Sequence, residues 1–219
     1  MAAGKWWIVP AVARRQILAA IEQRWDGQAD LEAVEFHYFA PIVLRDLRVT
    51  GPVGDRWLHV DRVELALADW PGTQPKLRAV RVGTVRVDVR HRAGRPLPIR
   101  PPPADDAEPA DASKYLDLRA VRVERIELAL HERGHIHALP PLRLDVSRGR
   151  GGYDVHLAPR DADDDGPRLA GRVDPAGETS LRLQLNRDLP PSLGRALAEL
   201  AGLADAGGSG RLAADVTVH

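Results

Sequence analysis

The hexapeptide Leu-Arg-Ala-Val-Arg-Val occurs twice, at Leu77–Val82 and at Leu118–Val123. A longer match overlaps it, since Val60–Leu67 reads as Val123–Leu130 with Asp in place of Glu and Val in place of Ile. A repeated unit that cannot bury its own apolar side chains must stack on its neighbours, so this self-similarity constrains the fold before composition is considered. Within the repeat, apolar residues alternate with charged or small ones, the period of two expected of strands with one dry and one wet face. The alternation slips by one residue between Val60 and Val63, between Val82 and Val85, and between Val123 and Ile126. An uncorrected slip would turn every later apolar side chain to the wrong face, so a bulge or corner must sit at each, and at Glu124–Arg125 a bulge is preferred to a tight hairpin turn.

Composition narrows the function. Lys plus Arg equal Asp plus Glu at 31 each, and the basic residues alternate with acids along strands, which removes the electrostatic footprint a nucleic-acid partner needs. There is no cysteine, so thiolate metal sites and disulfides are excluded. Aromatic residues make up only 5%, and the core is aliphatic. No nucleophile stands beside a base, and there is no phosphate loop or convergent carboxylate pair, so the chain reads as non-enzymatic with no cofactor.

At the start of the chain, Lys5-Trp6-Trp7-Ile8-Val9-Pro10 is far short of the roughly 20 apolar residues of a membrane span. Trp6 and Trp7 beside a lysine suit a membrane interface, and they also suit packing on the sheet beneath the first helix. Pro10 to Trp25 predicts an amphipathic helix, with Ile17, Leu18, Ile21 and Trp25 as its stripe and Gly27 as its stop. Val34–Phe39 and Ile42–Val49 follow as strands.

The basic pair in Arg14-Arg15-Gln16-Ile17, then Val34-Glu35-Phe36, Leu44-Arg45-Asp46-Leu47-Arg48-Val49 and Val60-Asp61-Arg62-Val63-Glu64-Leu65, together resemble the amino-terminal region of AsmA-like proteins. That group is similar to the repeating β-groove, bridge-like lipid-transfer proteins of cell envelopes and organelle contacts. The resemblance extends to the closing Gly207–Val216. It implies a bacterial envelope protein on the periplasmic side of the inner membrane, with phospholipid or a membrane surface as partner, and further β-groove segments where the chain is a fragment. Proteins of that group usually begin with a membrane span, and this chain begins where that span would end, which implies a truncated chain or a misplaced start.

The domain organisation reads as a helical segment (residues 1–31), a first β-repeat unit (32–92), a connection (93–113) and a second β-repeat unit (114–219) containing a helix over 191–204. The connection holds Pro101-Pro102-Pro103 among scattered acids and is expected to be disordered. A three-residue loop over Glu132–Gly134 would set His131 opposite His135, with His137 on the same face, the best metal candidate in the chain. A solvated hairpin face explains these histidines without a metal. Asp161-Ala162-Asp163-Asp164-Asp165-Gly166 opens like a calcium loop, but its twelfth place is Arg172, so the bidentate ligand is missing and a turn explains it better.

The expected fold is mainly β: a long curved antiparallel sheet, an open groove or a flattened sandwich, with an N-terminal and a short C-terminal helix. In one reading Val60, Val63, Leu65, Leu67, Val80, Val82, Val121, Val123, Ile126, Leu128 and Leu130 line an aliphatic groove that shields or transfers acyl chains passively. In the other, a structural or interaction module, the same residues form a closed core. The two share one binary pattern and differ in exposure.

Overall fold

The structure is a computed structural model and describes residues 5–25, 27–36, 40–51, 56–68, 76–90, 116–132, 135–161, 167–173, 179–184 and 213–218. After one helix, α1 (Lys5–Arg24), the alternating runs form eleven strands. These are β1 (Gln28–Glu35), β2 (Ile42–Thr50), β3 (Arg56–Ala68), β4 (Lys76–Arg90), β5 (Leu116–Glu132) and β6 (His135–Ala138), followed by β7 (Leu142–Gly149), β8 (Gly152–Pro159), β9 (Arg168–Val173), β10 (Thr179–Gln184) and β11 (Ala213–Val218). The expected helix over 191–204 and the connection over 93–113 lie outside the described residues. One sheet holds all eleven strands in the order β1-β2-β3-β4-β5-β7-β8-β9-β10-β11, with β6 beside β5. Among the described strands β1 and β11 are its two edges, so the sheet is open.

Both repeat units therefore belong to one sheet, and the two hexapeptides meet inside it. Ala79, Val80, Arg81 and Val82 lie opposite Ala120, Val121, Arg122 and Val123, so four of the six residues of one copy are beside their twins in the other, whereas Leu77 faces Leu116 across a register shift. Val80 and Val121 share a face, as the repeat predicts. The pairing of β4 with β5 is parallel, whereas every other pairing is antiparallel. An antiparallel sheet throughout is thus corrected at one place. The physical reason is that a parallel neighbour needs a connection of a dozen residues or more, and residues 91–115 supply it between these two strands.

Of the two expected ways to absorb the slip, a corner serves β1 to β5 and a register shift serves β5 against β7. In β1 to β5 the apolar pairs Leu31/Val34, Leu44/Leu47, Val60/Val63, Val82/Val85 and Val123/Ile126 are each three residues apart, and they are mutual partners across all five strands. Because neighbouring strands slip at the same level, no register shift is needed between them. The slips align into a transverse crease. Register shifts at Val49/Thr50, Ala66/Leu67 and Leu77/Ala79 lie towards the strand ends. Along the crease itself the register shifts only where it stops, between β5 and β7, where Val123 and Ile126 face Leu144 and Leu142, two apart. Beyond it, Leu139 N–H donates to Leu128 O at 3.0 Å, which carries the ladder past Pro140 and Pro141.

Backbone groups displaced by the crease find side-chain partners. Asp61 Oδ1 accepts the Thr84 N–H at 2.6 Å, and a Cβ on Gly83 would lie 2.5 Å from that same oxygen. Only glycine leaves the carboxylate room. Asp46, on the crease in β2, has φ of 56°, in the left-handed region that Asp tolerates better than most residues.

The helix begins at Lys5, five residues before the expected start. Pro10 thus sits inside it, where it leaves one carbonyl without its usual donor. Over the expected range the stripe is present: Ile17, Leu18, Ile21 and Trp25 are half-buried, whereas Arg14, Arg15, Gln16, Glu22 and Gln23 are exposed. No described helix is long and apolar enough to cross a membrane. Against β1, Glu22 Oε1 accepts the Ala29 N–H at 3.4 Å and Arg14 pairs with Asp30 at 3.0 Å. Trp25 meets Trp57 edge to face, their centroids 5.9 Å apart.

Candidate functional site

The register assembles the apolar residues into rows that run across the strands. Val34, Leu44, Val63, Val82, Val123, Leu144, Leu157, Leu169, Leu183 and Ala214 are successive partners from β1 to β11. No polar residue interrupts this row. A second row on the same face, one pair further along each strand, holds Ile42, Leu65, Val80, Val121, Val146 and Val155. On the other side of the crease lie Leu31, Leu47, Val60, Val85, Ile126 and Leu142. Ten strands at a spacing of about 4.8 Å make the longest row roughly 43 Å long.

Exposure varies over this face. Leu31, Leu44, Val60, Val123 and Leu142 are 7% exposed or less, and all flank the crease or its end at β7. No residue of the row from Ile42 to Val155 is buried. Val34, Leu47, Val63, Val82, Val85 and Ile126 flank the crease as well and are only partly buried, and Val49, one pair beyond it on β2, is 1% exposed, so burial along this apolar trough is patchy and the row from Ile42 to Val155 is its least buried flank. Of the expected groove residues, Val60 and Val123 are buried, whereas Val63, Leu65, Leu67, Val80, Val82, Val121, Ile126 and Leu128 are only partly buried. The side chain of Leu130 lies outside the described residues. The trough also extends beyond that set, to Leu44, Leu144, Leu157 and Leu169. Their alternation is visible in sequence, but only the pairing register joins them to the repeat.

The opposite face is charged and largely self-neutralised. Glu127 is held by Arg86 and Arg125, both at 2.6 Å, and Asp145 by Arg122 at 2.6 Å and Arg143 at 2.7 Å. For both carboxyls burial pushes the pKa up, and the paired guanidinium hydrogen bonds outweigh it, so both lie below the ordinary carboxylate range. Asp46 is likewise lowered, chiefly by its 2.5 Å hydrogen bond with His59 and also by Arg48. The Glu35 carboxylate, 2.5 Å away, raises the Arg45 pKa. Each of these charges has a structural partner, and none points to proton transfer.

The histidine hairpin differs from its expected register. Glu132 pairs with His135 and His131 with Ile136, so the loop is two residues, and His131 falls on the opposite face from His135 and His137. His131 Nε2 instead lies 3.2 Å from Asp88 Oδ1. The three imidazoles do not converge, and among the described residues no group of three His, Asp or Glu side chains could hold a metal. Residues 162–166 of the acidic run, and the side chains of Trp6 and Trp7, lie outside the described residues.

No protein-family model, curated protein or solved structure matches this chain.

Proposed function

We propose that this chain handles lipid, holding phospholipid acyl chains passively along the aliphatic trough. The observation that carries the reading is the unbroken apolar row across ten strands of an open sheet, with its outer flank only partly buried. Monomers rarely leave a large contiguous aliphatic face uncovered. Each methylene removed from water contributes roughly 0.8 kcal/mol, so a trough of this width holds an acyl chain without a polar anchor. The resemblance to AsmA-like proteins agrees with this reading, and with it come a bacterial envelope setting on the periplasmic side of the inner membrane and further β-groove segments as partners. Exposure is what disfavours a purely structural module with a closed core: such a core would bury Leu65, Val80 and Val121 as it buries Leu31.

The test uses the full chain purified without added lipid, followed by mass spectrometry of what it carries. Bound phospholipid is expected. The pair Leu65→Asp and Val121→Asp places carboxylates on the open flank, where they meet water in the empty protein but lose several kcal/mol of solvation against acyl chains. Lipid should be lost while the strand signal and melting transition persist. Leu142→Asp, 1% exposed, should unfold the protein and serves as the control for a core position. Absence of lipid from the wild type, together with unfolding of the flank variant, overturns the reading.

A further inference from the structure

The two ends of the central strands are charged differently. β4 and β5 begin, β7 and β9 end, and the β7–β8 turn lies on one side of the sheet. Described side chains there include Lys76, Arg78, Arg119, Arg148, Arg150 and Arg172, six cations against the two carboxylates Asp117 and Asp154, a formal charge of +4. At the opposite ends of the same strands Arg143, Arg160 and Arg168 stand against Asp88 and Asp161, a formal charge of +1 among the described side chains. The +4 rim is partly organised: Arg148 and Arg119 share Asp117, at 2.8 and 3.4 Å. Lys76, Arg78 and Arg150 carry no ion pair among the described residues. In contrast to the self-neutralised face of the sheet, this rim holds unspent positive charge.

The rim also adjoins the open flank of the trough. Arg148 is two residues from Val146, about 7 Å along β7, and alternation puts it on the same face as that valine, while Arg119, two residues from Val121 at the irregular start of β5, shares Asp117 with Arg148. An acyl chain lying against Val121 and Val146 thus ends beside guanidinium groups. We propose that this rim receives the phosphate-bearing headgroup of an anionic phospholipid whose acyl chains occupy the trough, a selectivity that rests on the lipid-handling reading above. Arginine forks match phosphate oxygens bidentately, and zwitterionic headgroups bring an ammonium that the rim repels.

The experiment offers the full chain two vesicle populations at low ionic strength, phosphatidylglycerol and phosphatidylcholine, and measures lipid extracted per protein. Phosphatidylglycerol should be taken up about fivefold or more in excess, the factor one basic residue confers near an anionic headgroup. Arg78→Gln, a residue in no ion pair, should reduce that ratio alone, and Arg78→Gln with Arg148→Gln should bring it close to one while extraction of phosphatidylcholine is unchanged. Equal extraction by the wild type overturns the headgroup proposal and leaves lipid handling standing. So does a preference that survives in the double variant. Extraction from neither vesicle overturns lipid handling itself. Pelleting with phosphatidylglycerol vesicles that inorganic phosphate reverses, with no lipid extracted, identifies a plain phosphate site and also overturns the proposal.

Discussion

The five strands β1 to β5 and the strands from β7 to β9 carry the same alternation, yet only the first group is creased. In β1 to β5 every strand spaces one pair of apolar residues three apart, with two polar or small residues between them. In β7, Leu142, Leu144 and Val146 are strictly two apart, and their partners Pro159, Leu157 and Val155 keep step. The crease of this sheet is thus encoded in the spacing of its aliphatic residues, with Gly83 making room for Asp61 on it. A single strand cannot do this alone, because an unmatched slip breaks register, as it does between β5 and β7.

The largest effect should come from removing one strand's contribution to the crease. Deletion of Arg125 gives β5 the strict alternation of β7, in step with β7 and out of step with β4. We expect a loss of about 3–5 kcal/mol in chemical denaturation, or outright unfolding. Wild-type stability in this variant would show that the crease is a passive consequence of packing.

Glycines in the two regions give a sharper comparison, since each faces a carboxylate oxygen at 2.5 Å from its would-be Cβ: Asp61 for Gly83 and Asp154 for Gly149. Asp61 cannot move without surrendering the Thr84 N–H, whereas Asp154 is tied only to Arg172 at 4.0 Å. Gly83→Ala should therefore cost about 2 kcal/mol and Gly149→Ala less than about 1 kcal/mol. Equal melting temperatures for the two variants would remove any structural role for Asp61.

The smallest effects concern the ion pairs, where the halves should behave alike. Glu127→Gln and Asp145→Asn each remove an exposed bracketed carboxylate and should cost under about 1 kcal/mol, less in high salt. Because Glu127, Asp145 and Asp46 all have pKa values below those of the unfolded chain, their contribution is present above about pH 4 and is lost as pH falls through the folded values. Thermal melts from pH 7 to pH 3 should show that loss in the wild type and a shallower one in the triple variant with Asp46→Asn.

Much of this was legible in the residues themselves. The long strands follow from Val/Arg alternation, and the slips at Val60, Val82 and Val123 are visible in the sequence. That β1 and β2 share the slip was not apparent, because Ala33 and Asp46 blur the pattern until pairing aligns them. Parallel pairing of β4 with β5 was equally hidden, since periodicity gives a strand's faces but no direction for its neighbour. The helix start was missed because Pro10 is a good first-turn residue, and local propensity says nothing of what precedes it. In the hairpin, one residue of loop length decided which face His131 occupies, a distinction that composition does not encode.

The in-register pairing of the two hexapeptides has an evolutionary consequence. Leu77 and Leu118 are 41 residues apart, the length of one strand plus its return connection. A gene segment of that length, copied in tandem, delivers a new strand whose edge already largely fits the old one, because Ala79 to Val82 meet their own duplicates and little complementary surface has to be invented. Each such duplication lengthens the apolar rows by one strand spacing, about 4.8 Å. Copy number then becomes the variable on which selection for trough length acts, with point substitutions left to adjust charge and curvature afterwards.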